Sequence, residues 1–252
     1  MNRTILLTGG TGKFGRVFVQ HFAARGWNVI TTSRDQSRVD QLISDFGQSG
    51  ESIVGIAIDL QEPGAAQRLV AELAVRDIVV THLVNNARSM ATLAVQADGT
   101  TQRAAFVGEF ELDVLVPYEL TMSLSRSASH KLKTVVNIGS MYGEVAPNPA
   151  LYEGSLDRSP IQYGVSKAGL HHLTRELAVR LAPQHIRVNC VAYGGVEGRV
   201  DESFLARYAQ LAPSRRMLKE SEIIGPVEFL LEDASSSVNG HVLVADGGWS
   251  VW

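Results

Sequence analysis

Short apolar runs alternate with amphipathic stretches along the whole chain. Continuous apolar segments at 4–8, 27–32, 52–58, 78–84, 134–139, 186–191 and 239–245 predict strands. Their apolar residues are consecutive rather than alternating, as in strands covered on both faces. Between them, apolar positions recur at helical spacing over 16–25, 38–46, 62–75, 104–127, 161–181 and 222–231. Gly26 predicts the end of the first helix and Pro117 a bend in the long fourth one. Ser159 and Pro160 predict the cap and first position of the fifth. Strand and helix alternating in this way predict an α/β fold: one doubly wound, mainly parallel sheet with helices on both faces, formed by a single domain over 1–252.

Three segments lack a clean period. Residues 89–101 read as a loop. Residues 141–158, with Pro147, Pro149 and Gly154, are long for a strand-to-helix link and are expected to wall a substrate pocket. Residues 196–221 are polar, rich in Arg and Glu, partly helical, and placed to act as a lid. Trp249 and Trp252 lie in a tail too short to pack alone, which points to an oligomer interface.

Composition narrows the classes. With 45% hydrophobic and 19% charged residues and a net charge of −3, the profile carries no basic bias toward nucleic acid. No uncharged apolar run is long enough to span a bilayer, and the N-terminal run enters a glycine turn directly, so cytoplasmic residence without membrane association is expected. The single cysteine, Cys190, reads as a buried strand residue and His82 as a structural one. His171 and His172 are adjacent on a helix and point apart, so no metal site is expected.

Chemistry enters at the strand ends. The first strand runs into Gly9-Gly10-Thr11-Gly12-Lys13-Phe14-Gly15 and then a helix. Strand, glycine turn, helix and strand form the context in which a pyrophosphate sits at a helix N-terminus. At the end of the second strand, Ser33 is followed by Arg34 rather than by an acid, and a guanidinium suits a ribose 2′-phosphate. Lys13 offers a second positive charge, so NADP(H) is expected in preference to NAD(H). Asp59, with Leu60, closes the third strand where an adenine would be flanked, and Asn85, Asn86 and Ala87 end the fourth. Ser140 ends the fifth, facing a helix on which Tyr163 and Lys167 are four apart and share a face. A free phenol titrates near pH 10, and a neighbouring ammonium favours its ionised form.

Taken together, Thr8 to Gly15, Asp59, Asn85-Asn86-Ala87, Ser140, Tyr163 with Lys167, Asn189, Gly194-Gly195, Asn239-Gly240 and Asp246-Gly247-Gly248 resemble the short-chain dehydrogenase/reductase family over nearly the whole chain. The resemblance implies a Rossmann-type fold with a seven-stranded sheet, a nicotinamide cofactor and a homotetramer or homodimer. It implies that Tyr163 is the general acid/base, that Lys167 supports it and binds the nicotinamide ribose, and that Ser140 bonds the substrate oxygen. It also extends the cofactor contacts to Tyr193, Gly194 and Val196.

The chain departs from the family pattern in several places. Lys13 stands within the glycine turn, and the connection from Ser140 to Tyr163 is long. Asn85-Asn86-Ala87 is followed by Arg88 where glycine is usual; Arg88 either positions an anionic substrate or points to solvent. Asp113 stands where the relay asparagine is expected, and it either orients a water or pairs with Lys167. Tyr193 replaces a proline and is expected to narrow the nicotinamide side. The tail and the 147–152 loop resemble a bacterial subgroup linked to flagellin-glycan, surface-polysaccharide and nonulosonic-acid pathways. That favours a polar, anionic or nucleotide-linked sugar as substrate, met by Arg88, Arg199, Arg207, Arg215 and Arg216. Two alternatives stand beside it: a generic ketone or 3-oxoacyl-thioester reductase, and a non-catalytic nicotinamide-binding regulatory protein.

Overall fold

In the computed structural model, which describes residues 3–46, 50, 52–128, 130–153, 155–198 and 200–252, seven parallel strands form one sheet in the order β3-β2-β1-β4-β5-β6-β7. They are β1 (Thr4–Leu7), β2 (Asn28–Ser33), β3 (Ile53–Ala57), β4 (His82–Asn85), β5 (Thr134–Ser140), β6 (Arg187–Tyr193) and β7 (Val242–Ala245). The Rossmann-type expectation holds. Strand order reverses between β1 and β4, and at that switch the chain leaves opposite faces of the sheet and opens a crevice at the carboxyl ends.

Helices α1 (Lys13–Ala24), α2 (Gln36–Asp45) and α8 (Ile224–Leu231) cover one face. Phe18, Phe22, Leu42, Val227 and Leu230 pack there against Ile5, Val29 and Val136 of the sheet. On the other face lie α3 (Ala65–Val75), α5 (Val116–Arg126) and α6 (Ile161–Leu181), with Leu69, Leu120, Leu124, Leu177 and Leu181 against Leu6, Leu83 and Val188. Each such side chain removed from water contributes about 1.5–3 kcal/mol, so the two-sided burial read from the continuous strands is the main force fixing the sheet. All seven residues of β5 are buried. Buried Asn189 joins β6 to β7: its side chain donates to the Val238 carbonyl (2.9 Å) and accepts from the His241 N–H (3.0 Å). Cys190 is buried and free, and burial pushes its thiol up to about 12.

Three expectations are corrected. The segment 104–127 is not one helix bent at Pro117. It comprises α4 (Arg103–Phe110), a π-helical turn (Glu111–Leu115) and α5, with Val116 N–H donating to the Glu111 carbonyl. Pro117 has no N–H for the carbonyl four residues back, and the wider turn just before it absorbs the mismatch. Ser159 does not cap α6; the helix begins at Ile161 after Pro160, without a side-chain cap. Trp249 is not a free interface residue, because it is buried and stacked on Tyr208 at 4.5 Å, whereas Trp252 is exposed. Within the 196–221 segment, Glu202–Leu211 forms α7. Gly154 and Arg199 lie outside the described residues.

Candidate active site

The glycine turn is held from below by the end of β4. Asn86 Nδ2 donates to the Thr8 carbonyl at 2.9 Å, and the N–H groups of Asn86 and Ala87 both donate to Thr8 Oγ1 at 2.9 Å. Gly9 has φ +70°, and a Cβ there would lie 2.8 Å from Ala87 Cα. A Cβ on Gly15 would stand 2.2 Å from the Gly9 carbonyl oxygen, so strand, turn and helix meet as closely as backbones can. Gly12 is the N-cap of α1 and has no side chain to satisfy the first-turn amides, which are left for an anion.

This turn forms one end of a cleft of about 1000 Å³. Every residue assigned to the cofactor from the sequence lines it: Gly9, Thr11, Gly12, Lys13, Phe14, Gly15, Ser33, Arg34, Asp59, Leu60, Asn86, Ala87, Tyr193, Gly194 and Val196, with Tyr163 and Lys167. Thr11 Oγ1 donates to Ser33 Oγ (3.1 Å), closing the turn against β2. Arg34 is exposed at the end of β2, and among the described residues no acidic partner takes its charge. Asp35, the nearest acid, caps α2 through the Ser37 N–H (2.9 Å); the Ser37 hydrogen bonds hold its carboxyl below the usual range. A nicotinamide dinucleotide fits this donor set, with open amides at one point and a guanidinium at the other.

Two cofactor assignments change in character. The Lys13 ammonium is bonded to the Glu197 carbonyl and lies 3.4 Å from Glu220, so it ties the glycine turn to the 196–221 segment instead of standing free. Tyr193 is buried in the core, edge-on to Phe14 at 5.7 Å, and its hydroxyl donates to the Ile223 carbonyl. Its ring touches the cleft but its polar end is turned away, and burial raises the phenol well above its ordinary value.

At the other end stand Ser140, Tyr163 and Lys167, all lining the same cleft. Ser140 ends β5 and accepts from the Tyr142 N–H at 3.2 Å, which leaves its hydroxyl proton for a ligand. Tyr163 and Lys167 share one face of α6, with Nζ 5.7 Å from the phenol ring centroid. Lys167 is buried; it donates to the Ile138 carbonyl (3.0 Å) and to Asp113 Oδ1 (2.8 Å). The sequence left two roles for Asp113, and in this geometry it pairs with Lys167. Burial alone lowers the lysine's pKa, but the Asp113 carboxylate and the Tyr163 phenol outweigh it and the net direction is upward. Asp113 Oδ2 has no partner among the described residues, nor does Oε1 of buried Glu109 one helical turn away. Burial, then the Asp113 charge, raises Glu109.

The remaining walls come from the segments that follow β4, β5 and β6. Arg88 lies over the Tyr163 ring at 4.5 Å. Buried Gln162, next to Tyr163, donates to the carbonyls of Thr92 (2.8 Å) and Ala94 (3.3 Å) and so fastens the 89–101 loop. The 141–158 segment contributes Met141, Tyr142, Leu151 and Tyr152 to the cleft, as expected of a wall, and Tyr142 and Tyr152 share a hydrogen bond at 3.1 Å. Phe204 of α7 packs edge-on to Tyr152 at 6.0 Å. Arg207 is used by the Leu151 carbonyl (2.9 Å) and Glu153 (3.2 Å), and Arg216 by Glu222 (2.6 Å), so neither is free for a substrate charge. His171 is buried and bonded to Glu144 at 2.8 Å, and no group of three or more potential metal ligands occurs among the described residues. No helix among them is long and apolar enough to cross a membrane.

A family model described as enoyl-(acyl carrier protein) reductase matches residues 13–250. A post-translational flagellin modification protein from Campylobacter coli is 38% identical over 117 residues, which span 46% of each chain. Among solved structures, a Leptospira borgpetersenii short-chain dehydrogenase with bound NAD+ superposes with a TM-score of 0.86 at 25% identity, covering 99% of this chain and 93% of that one. The Pseudomonas aeruginosa RhlG/NADP complex gives 0.84 at 27% identity, covering 98% and 96%.

Proposed function

Because the chain belongs to the short-chain dehydrogenase/reductase family, we propose that it is an NADP(H)-dependent oxidoreductase that interconverts a carbonyl and a secondary alcohol on a sugar-related polar metabolite. One observation carries this reading: Ser140, Tyr163 and Lys167 share a single cleft with an open-amide glycine turn and Arg34. The bound nicotinamide supplies or accepts the hydride. Ser140 holds the substrate oxygen, and Tyr163 gives that oxygen a proton in reduction and takes one in oxidation. Lys167 presents its charge to the phenol while its ammonium is fixed by Ile138 and Asp113.

The solved neighbours include both an NAD+ and an NADP complex, so the preference for NADP(H) rests on this chain's own Arg34 and on the use of Asp35 as a helix cap. The sugar reading draws on the flagellin-modification relative and on the Tyr142, Tyr152 and Phe204 wall, where aromatic faces able to pack on a sugar ring stand beside two tyrosine hydroxyls. The same wall holds Met141 and Leu151, which favours the second reading, a generic ketone or 3-oxoacyl thioester. A purely regulatory role is disfavoured by the complete set of Ser140, Tyr163 and Lys167. Exposed Val107, Phe110, Tyr118, Ile161 and Val165 on α4, α5 and α6 support a homodimer or homotetramer through that side.

NADPH consumption measured over keto-sugars, small diketones and acyl thioesters decides among these. Turnover confined to the keto-sugars supports the sugar reading. Turnover confined to the thioesters moves the assignment to the second, and tight NADPH binding with no turnover anywhere moves it to the third.

A further inference from the structure

Two departures from the family pattern meet at one ring. Asp113 brings a carboxylate where a neutral amide is expected, and its Oδ1 sits 2.8 Å from the Lys167 ammonium, so part of the charge that Lys167 presents to Tyr163 is cancelled. Arg88 brings a guanidinium where a glycine is expected, and that group lies 4.5 Å from the Tyr163 centroid. Among the described residues no acid pairs with Arg88. We propose that Arg88 is a positioning residue that restores, on the face of Tyr163, the positive charge that Asp113 takes from Lys167.

The inference rests on reading Tyr163 as the proton donor and acceptor. A cation over a phenol face is attracted to the neutral ring and more strongly to the phenolate, whose charge spreads into the ring. The neighbourhood of Tyr163 holds Lys167 on its own helix, Arg88 after β4, Tyr142 after β5, and, beyond Lys167, Asp113 on the π-helical turn and Glu109 on α4. Burial, followed by its tyrosine neighbours, raises Tyr142, which keeps it neutral. Burial and then Asp113 push Glu109 toward its neutral form. Lys167, Arg88 and Asp113 together carry a net charge equal to that of one lysine beside an asparagine. Arg88 is exposed, so water and salt screen it and its effect is limited to roughly half to one pH unit.

The test compares wild type, Arg88→Ala, Arg88→Lys, Asp113→Asn and the Arg88→Ala/Asp113→Asn double variant. The readout is the tyrosinate difference absorbance against pH, with Tyr163→Phe subtracted. This titration needs no substrate, so it remains decisive even if no substrate turns over and the functional reading itself fails. The expected result is a Tyr163 midpoint moved up by about half to one unit in Arg88→Ala, moved down in Asp113→Asn, and returned near wild type in the double variant. Arg88→Lys recovers part of the shift, and high salt shrinks it. Where a substrate is found, the pH profile of alcohol oxidation moves in the same directions. An unmoved midpoint in Arg88→Ala overturns the proposal, as do shifts of the same sign in the two single variants. A rise in KM for an anionic substrate with the midpoint unchanged also overturns it and assigns Arg88 to substrate charge instead.

Discussion

Lys167 Nζ and Asp113 Oδ1 are 2.8 Å apart in a setting where both side chains are almost fully buried. The pair joins α6 to the π-helical turn and fixes the ammonium behind Tyr163. Each charge depends on the other, since removing one partner of a buried pair leaves the second uncompensated.

Asp113→Ala is therefore expected to destabilise the protein by about 3–5 kcal/mol, and Asp113→Asn, which keeps an acceptor for Nζ, by clearly less. Thermal unfolding of the two variants checks the order. The folded pKa of Lys167 is raised above its ordinary 10.5, so its contribution is complete below that value and is lost as pH rises through the folded value. Chemical denaturation of wild type should show a loss of stability in strongly alkaline solution that is absent in Lys167→Met. An equal loss in both would remove Lys167 as its source.

Arg34 projects from the end of β2 with no acidic partner among the described residues, while Asp35 is occupied at the α2 N-cap. Arg34→Ala should reduce kcat/KM for NADPH by roughly 10- to 100-fold, the range expected for a lost hydrogen bond to a charged group, and leave NADH within a few-fold. Paired kinetics with the two cofactors measure this. An equal loss with both would show that Arg34 does not read the 2′-phosphate.

His82 is buried in β4 against Trp27, with ring centroids 4.7 Å apart. Burial, reinforced by the nearby Lys133 and Arg3 charges, lowers its pKa from 6.5 to about 4. The unfolded chain therefore binds a proton that the folded chain refuses. Stability is full above 6.5 and declines as pH falls toward 4, by at most about 3 kcal/mol. Unfolding of wild type and His82→Gln at neutral pH and near pH 5 should show a shallower pH dependence in the variant. Parallel curves would place the acid sensitivity elsewhere.

How much could be read from the sequence depended on the range of the interaction. The strands, the glycine turn, Arg34 and the set of Ser140, Tyr163 and Lys167 follow from local pattern, because two-sided burial leaves consecutive apolar residues and strand ends place the polar ones. The π-helical turn escaped because a proline within a helical pattern signals only that one hydrogen bond is missing. It does not say whether the chain kinks or widens to recover it. The direction of the Tyr193 hydroxyl escaped for a different reason: a residue at a strand end touches both core and cleft, and only Phe14 and the Ile223 carbonyl decide where the hydroxyl goes. The stacking of Trp249 on Tyr208, the Gln162 anchor and the Glu144–His171 pair join residues distant in the chain and leave no periodic trace.

The central claim, that Tyr163 moves the proton in a carbonyl–alcohol interconversion, is tested most directly by NADPH oxidation with a carbonyl substrate in wild type and Tyr163→Phe. The account predicts a fall of about 10²–10⁴-fold in kcat with NADPH affinity retained, the range for a lost general acid. Equal rates in the two proteins would contradict it.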